Sequence, residues 1–134
     1  DEPLQGLCLR IGSGPMINSL EASDLKELAR STLAGFDERV ASIPAELCAP
    51  FHIEARQLEA ELLSLYRTVA LIVRKEDDLE RIAALWGAMV GASDDSLARL
   101  QKLAQAHPGR GADLYYDRVL DLRNKCLRLQ QMHS

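Results

Sequence analysis

The stretch from residue 51 to residue 72, FHIEARQLEAELLSLYRTVALI, decides the fold class of this protein. Its apolar side chains recur at alternating steps of four and three residues, and no glycine or proline interrupts them. An average spacing of about 3.5 residues keeps an apolar stripe on one face of a helix. We therefore predict a long helix whose stripe other helices must cover. The stripe comprises Phe51, Ala55, Leu58, Leu62, Leu65, Val69 and Ile72.

Upstream of this stretch, the pattern predicts a first helix from Ala22 to Ser42. Ser23 is expected to be its N-cap, because a serine hydroxyl accepts hydrogen bonds from the unpaired N–H groups of a first turn. Pro44 ends the helix, since the residue before a proline is disfavoured in the α conformation.

Downstream, the polar run RKEDD at residues 74–78 predicts a tight reversal, with Asp77 or Asp78 capping a third helix. The apolar spacing nevertheless continues through Leu79, Ala83 and Trp86. One uninterrupted helix over residues 51–90 is therefore the alternative, and it would need a dimer to bury its stripe.

The third helix is expected to kink or restart near Ser93, because a serine followed by two aspartates is a typical N-cap sequence. The run HPGRG at residues 107–111 predicts a stop and a turn. A fourth helix should follow from Ala112 to Met132, with Cys126 on its apolar stripe.

These segments predict an all-α protein, an antiparallel up-down four-helix bundle formed as a single domain by residues 20–134. Residues 1–19 contain two prolines and three glycines and are expected to form an extended N-terminal arm laid across the bundle. The apolar anchors of this arm would be Leu4, Leu7, Leu9, Met16 and Ile17.

The charge balance argues against nucleic acid as a partner. The chain has 16 basic and 20 acidic residues, a net charge of -4, and only 4% aromatic residues. Nucleic-acid binders usually carry a basic excess, and many stack bases on aromatic rings. No apolar run has the length of a membrane span, so we do not expect membrane insertion either.

Three cysteines, Cys8, Cys48 and Cys126, leave at least one thiol unpaired within a monomer. Two interpretations remain open, namely inert thiols or one disulfide bond in an oxidising compartment. The chain begins at Asp1 without an initiator methionine, which suggests a processed or truncated product. This favours an exported or periplasmic protein.

The sequence contains no motif for haem attachment, for a di-iron bundle, for a zinc protease or for a serine nucleophile elbow. Cys48 and His52 are the one pair with the spacing of a two-ligand metal clamp or a nucleophile and its base, but Pro50 separates them. We therefore predict a non-enzymatic protein with no cofactor and no metal.

Two hypotheses about function follow from the remaining residues. Leu63, Leu71 and Tyr116 are apolar but lie off the main stripes, which predicts an interface with a protein partner or with a second copy. Small residues surround Trp86, among them Gly87 and Gly91, and they either let helices pack closely or leave a hollow for a small ligand. An interaction or scaffolding module is the first hypothesis, and a small-ligand-binding or sensory bundle is the alternative.

Overall fold

The computed structural model describes residues 20–44, 47, 49–109 and 111–133. Within those residues the chain forms four α-helices and no strand, which confirms the predicted four-helix bundle. The predicted N-terminal arm, with Cys8 and the apolar anchors, lies outside the described residues. The helices are α1 (Ala22–Ala41), α2 (Ala49–Val73), α3 (Leu79–Ala106) and α4 (Ala112–Met132).

The N-cap of α1 is Glu21, so the prediction of Ser23 is wrong. The main-chain N–H of Glu21 donates to a carboxylate oxygen of Asp24 at 3.0 Å. This reciprocal contact is one half of a capping box, in which the third helical residue reaches back to the cap. Ser23 is an exposed residue of the first turn.

The α2 and α3 helices are separate, as predicted, and the alternative of one helix over residues 51–90 is wrong. Asp78 caps α3, because its Oδ1 accepts hydrogen bonds from the N–H groups of Glu80 at 3.0 Å and Arg81 at 3.4 Å. A carboxylate in this position also stabilises the positive end of the helix dipole. The cap and the turn before it therefore reverse the chain.

The α3 helix is continuous through Ser93, so the predicted restart there is wrong, and the alternative of a kink stays a prediction. Ser93 has no exposed surface and lies inside the bundle. Burial of this face of α3 overrides the local preference of serine and aspartate for a helix start. The next residue, Asp94, instead accepts a hydrogen bond at 2.9 Å from Arg123 of α4.

Contacts between helices show that their directions alternate along the chain. At one end of α3, Arg81 binds the carbonyl oxygen of Leu20, and near the other end Arg99 binds Asp37, so α1 and α3 run parallel. Two contacts show that α2 and α4 are also parallel: the His52 ring contacts the Tyr115 ring, and the Tyr66 ring contacts Lys125. Asp94 pairs with Arg123, and Gly87 lies against Gln130, so α4 is antiparallel to α3.

The order of the helices around the bundle differs from their order in the chain. The α3 helix has its largest interfaces with α4 and with α1, whereas α1 and α4 make little contact. Around the bundle the order is therefore α1, α2, α4, α3. Two parallel helices, α1 and α3, are neighbours, and this arrangement forms the groove described below.

The core lies where the four apolar stripes meet. All seven residues of the predicted α2 stripe are at most 3% exposed. Leu58, Trp86 and Leu122 belong to one continuous cluster of buried side chains. Burial of large aliphatic side chains, at roughly 1.5–3 kcal/mol each, is the main stabilising contribution of such a core.

None of the helices in the described part of the chain combines the length and apolarity that a membrane span requires.

Candidate binding surfaces

The side of α2 that points away from the bundle carries two large apolar side chains. Ile53 is 63% exposed and Leu71 is 53% exposed. They are eighteen residues apart, which equals five helical turns, so they point in the same direction. The exposed Ala60 lies between them. We call this surface the outer α2 face; it comprises Ile53, Arg56, Gln57, Ala60, Arg67 and Leu71.

The outer α2 face is basic, although the chain as a whole is acidic. Arg56 and Arg67 are exposed and form no ion pair within the described residues. The glutamates of α2 on either side are held by neighbouring helices, since Glu54 binds Arg39 of α1 and Glu59 binds Arg118 of α4. The face therefore presents aliphatic side chains and positive charge together.

The three predicted interface residues do not form one patch. Leu71 belongs to the outer α2 face, whereas Leu63 and Tyr116 are half-buried against the core. Leu63 lies on the side of α2 that faces α4, since it is four residues after Glu59, which binds Arg118. Tyr116 is one heptad before Arg123, which binds α3, and so lies on the α3 side of α4.

The three predicted pocket residues also occupy different surroundings. Trp86 is 2% exposed, and its ring centroid is 5.5 Å from that of Tyr66. Gly87 lies against α4, where an added Cβ would come within 2.8 Å of Gln130 Nε2. Gly91 is exposed and lines a cavity of about 340 Å³ between α1 and α3, and Trp86 is not among the residues that line it.

A larger groove, which no sequence pattern indicated, lies between the C-terminal halves of α1 and α3. Its volume is about 500 Å³. We call it the α1–α3 groove. Its apolar lining consists of Phe36, Val40, Ala41, Ile43, Leu103 and Ala106, and its polar rim consists of Asp37, Arg99, Lys102 and His107.

The α1–α3 groove adjoins a second, more polar depression of about 350 Å³. The two share Asp37, Arg99 and Lys102. Arg99 Nε is 3.3 Å from Asp37 Oδ2, and Lys102 is exposed beside this pair. One carboxylate and two cations leave the junction with one positive charge. The combined depression is therefore apolar towards the helix ends and positively charged towards the middle of the bundle.

Five polar side chains are buried in the core, and no sequence pattern distinguished them from exposed polar residues. They are Thr32, Glu61, Thr68, Ser93 and Ser96. The hydroxyls of Thr68 and Ser96 each donate to the carbonyl oxygen four residues earlier, at 3.0 Å. Such hydrogen bonds within the helix make a buried hydroxyl tolerable in an apolar core.

The chemistry of the cysteines and histidines is consistent with structural roles in the part of the chain described. Cys126 is a buried free thiol, and burial raises its pKa to about 11 despite the opposing effect of Lys125. Cys48 lies outside the described residues, so its spacing to His52, which we did not adopt as a site, is not tested. The His52 ring is instead 5.8 Å from the ring of Tyr115. Among the described residues, no three His, Cys, Asp or Glu side chains are grouped to hold a metal ion.

No family model, curated protein sequence or solved structure matches this chain. The fold and surfaces define a four-helix bundle with an apolar, basic helix face and an amphipathic groove.

Proposed function

We propose that the protein is a non-enzymatic interaction module that binds a protein partner through the outer α2 face. The observation that carries this proposal is the alignment of Ile53 and Leu71, both more than half exposed, on one side of α2. Exposed aliphatic side chains are common singly, but two in line on one helix provide anchors for a partner.

The partner should be an amphipathic segment whose acidic residues lie between its two apolar anchors. Its apolar residues would cover Ile53 and Leu71, which are about 27 Å apart at 1.5 Å per residue. Its carboxylates would pair with Arg56 and Arg67, which form no ion pair within the described residues. Charge complementarity of this kind sets the orientation of a partner and raises the association rate.

Self-association through the same surface is less favourable. Two outer α2 faces laid together would bring Arg56 and Arg67 of both copies into one interface. Like charges juxtaposed in this way are destabilising. We therefore favour a different protein as the partner and treat a homodimer as an outcome that the experiment must distinguish.

The proposal is tested by affinity capture of partner proteins on immobilised forms of this protein, the baits, which differ from one another at one surface. The double variant Ile53→Glu/Leu71→Glu replaces both exposed apolar side chains of the outer α2 face by carboxylates. Leu79→Glu is the control. Leu79 is 59% exposed on a different helix, where an acidic residue in the first turn is favourable. We expect the wild type and the control to retain the same partner, and the double variant to lose it.

Circular dichroism of all three baits must show the same helix content for this comparison to hold. Identical sets of captured proteins from the three baits would contradict the proposal. Sedimentation velocity distinguishes a homodimer, because a dimer that the double variant dissociates would identify a second copy as the occupant.

Small-ligand binding beside Gly91 is the second candidate function, in a cavity that Trp86 and Gly87 do not line. The cavity beside Gly91, of about 340 Å³, favours it. The single tryptophan allows a direct test by fluorescence, and Gly91→Leu should fill the cavity and abolish any ligand-induced change. A fluorescence change that persists unaltered in this variant would locate the ligand elsewhere.

A further inference from the structure

We infer that the α1–α3 groove binds a free single-chain amphipathic monocarboxylate, with its alkyl tail in the apolar part and its carboxylate beside Lys102. This inference concerns a surface distinct from the outer α2 face and does not depend on the proposed partner. Three features of the groove support it, namely its lining, its charge and its length.

The lining of the groove is suited to an alkyl chain. Phe36 is fully buried beneath it, while Val40, Ile43 and Leu103 are half-buried and form its walls. The bundle therefore closes its core and still leaves an aliphatic surface open between α1 and α3. A volume of about 500 Å³ lies within the range of ordinary small-molecule sites, roughly 300–1,000 Å³.

The charge at the inner end of the groove selects an anion. Asp37 is already paired with Arg99, so its carboxylate is compensated. Lys102 is one turn after Arg99 on the same side of α3, and it adds a positive charge that no acidic side chain among the described residues lining the groove balances. A single carboxylate placed here would interact mainly with Lys102, the uncompensated cation, whereas a cationic head group would meet a net positive charge.

The length of the groove favours a small molecule over a partner helix. Its α1 side extends only from Phe36 to Ile43, about 10 Å at 1.5 Å per residue. Ile43 and His107, which follow the ends of α1 and α3, line its outer end. A helix would leave most of its length unsupported, whereas a single alkyl chain can lie along the whole groove.

Isothermal titration calorimetry of the full chain with decanoate, below its micelle concentration, tests this inference. We expect saturable binding, and at least ten-fold weaker binding of decyltrimethylammonium, which has the same tail and the opposite charge. Lys102→Glu should weaken decanoate binding ten-fold or more. Ala106→Leu should weaken both decanoate and the neutral analogue decanol, because the added side chain occupies the apolar part.

Lys26→Glu is the matched control, since Lys26 is an exposed lysine that lines the separate cavity beside Gly91. Its decanoate affinity should equal that of the wild type. Equal losses in Lys102→Glu and Lys26→Glu would overturn the inference, because they would show attraction to net charge alone. The absence of saturable decanoate binding, or binding to anionic lipid vesicles only, would overturn it as well.

Discussion

Arg81 of α3 donates a hydrogen bond of 2.6 Å from Nη2 to the main-chain carbonyl oxygen of Leu20, at the start of α1. The same guanidinium pairs with Glu76 in the turn after α2 and lies 3.6 Å from Glu21. Arg81 therefore connects the beginning of α1 to the beginning of α3. This contact aligns the two helices in parallel, and the α1–α3 groove lies towards their other ends.

Removal of the Arg81 guanidinium should destabilise the bundle. Arg81→Met keeps an apolar stem of similar length and loses the charged hydrogen bond to Leu20. A hydrogen bond to a charged group contributes about 1.5–3 kcal/mol, and the side chain of Arg81 is only 16% exposed. We expect a decrease of that size in the free energy of unfolding, measured by urea denaturation. Arg30→Met is the control, because Arg30 and Glu27 form an exposed pair that contributes little.

Glu76 should make the free energy of unfolding depend on pH in the acidic range. The N–H of Asp78 and then the Arg81 side chain lower the pKa of its carboxyl group below the ordinary value of 4.5. Because the folded-state pKa is the lower one, this stabilisation is present above pH 4.5 and is lost as the pH falls through the folded-state pKa. Glu76→Gln should therefore flatten the acid limb of a plot of unfolding free energy against pH. Glu80→Gln, which removes an exposed carboxylate nearby, should leave that limb in place.

Loss of the Asp78 cap of α3 should lower the free energy of unfolding by about 1 kcal/mol. Asp78 accepts hydrogen bonds from two N–H groups of the first turn of α3, and replacement of such a cap by alanine costs about 0.5–2 kcal/mol. Asp77→Ala removes a neighbouring exposed carboxylate that makes no such bond. Thermal unfolding should therefore show a lower Tm for Asp78→Ala than for Asp77→Ala. Equal Tm values would indicate that the cap contributes nothing.

Replacement by alanine should change the stability of the protein differently at two buried serines of α3. Ser93 Oγ makes no hydrogen bond within the described part of the chain, whereas Ser96 Oγ donates to the carbonyl oxygen of Ala92. Alanine has the higher helix propensity, so Ser93→Ala should be neutral or stabilising by up to about 1 kcal/mol. Ser96→Ala loses a hydrogen bond and should be the less stable variant in urea denaturation. The reverse order would show that Ser93 has a polar partner.

Cys126 should be unreactive in the native protein. Burial raises the pKa of its thiol to about 11, so almost none is thiolate near pH 8. Iodoacetamide followed by peptide mass spectrometry should find Cys126 unmodified until the chain is unfolded in urea. The raised pKa also means that its contribution to stability is complete below pH 9 and decreases as the pH rises towards 11. Rapid native alkylation of Cys126 would contradict its burial.

The sequence by itself predicted four helices in alternating directions, although it left the separation of α2 from α3 open and indicated a restart at Ser93 that α3 does not have. The spacing from Phe51 to Ile72 specifies an α2 stripe that is buried throughout, and the turn residues around positions 78 and 107–111 separate the helices. These features are local, because helical periodicity, caps and breakers act over a few residues. Short connections then require consecutive helices to reverse.

The tertiary structure alone decided which helices are neighbours. Periodicity shows which face of α1 is apolar, but not that α1 lies along α3, because that depends on contacts such as Arg81 with Leu20 across sixty-one residues. The α1–α3 groove follows from this arrangement. A local pattern specifies a surface, whereas the fit of distant surfaces against one another decides what is buried and what remains open.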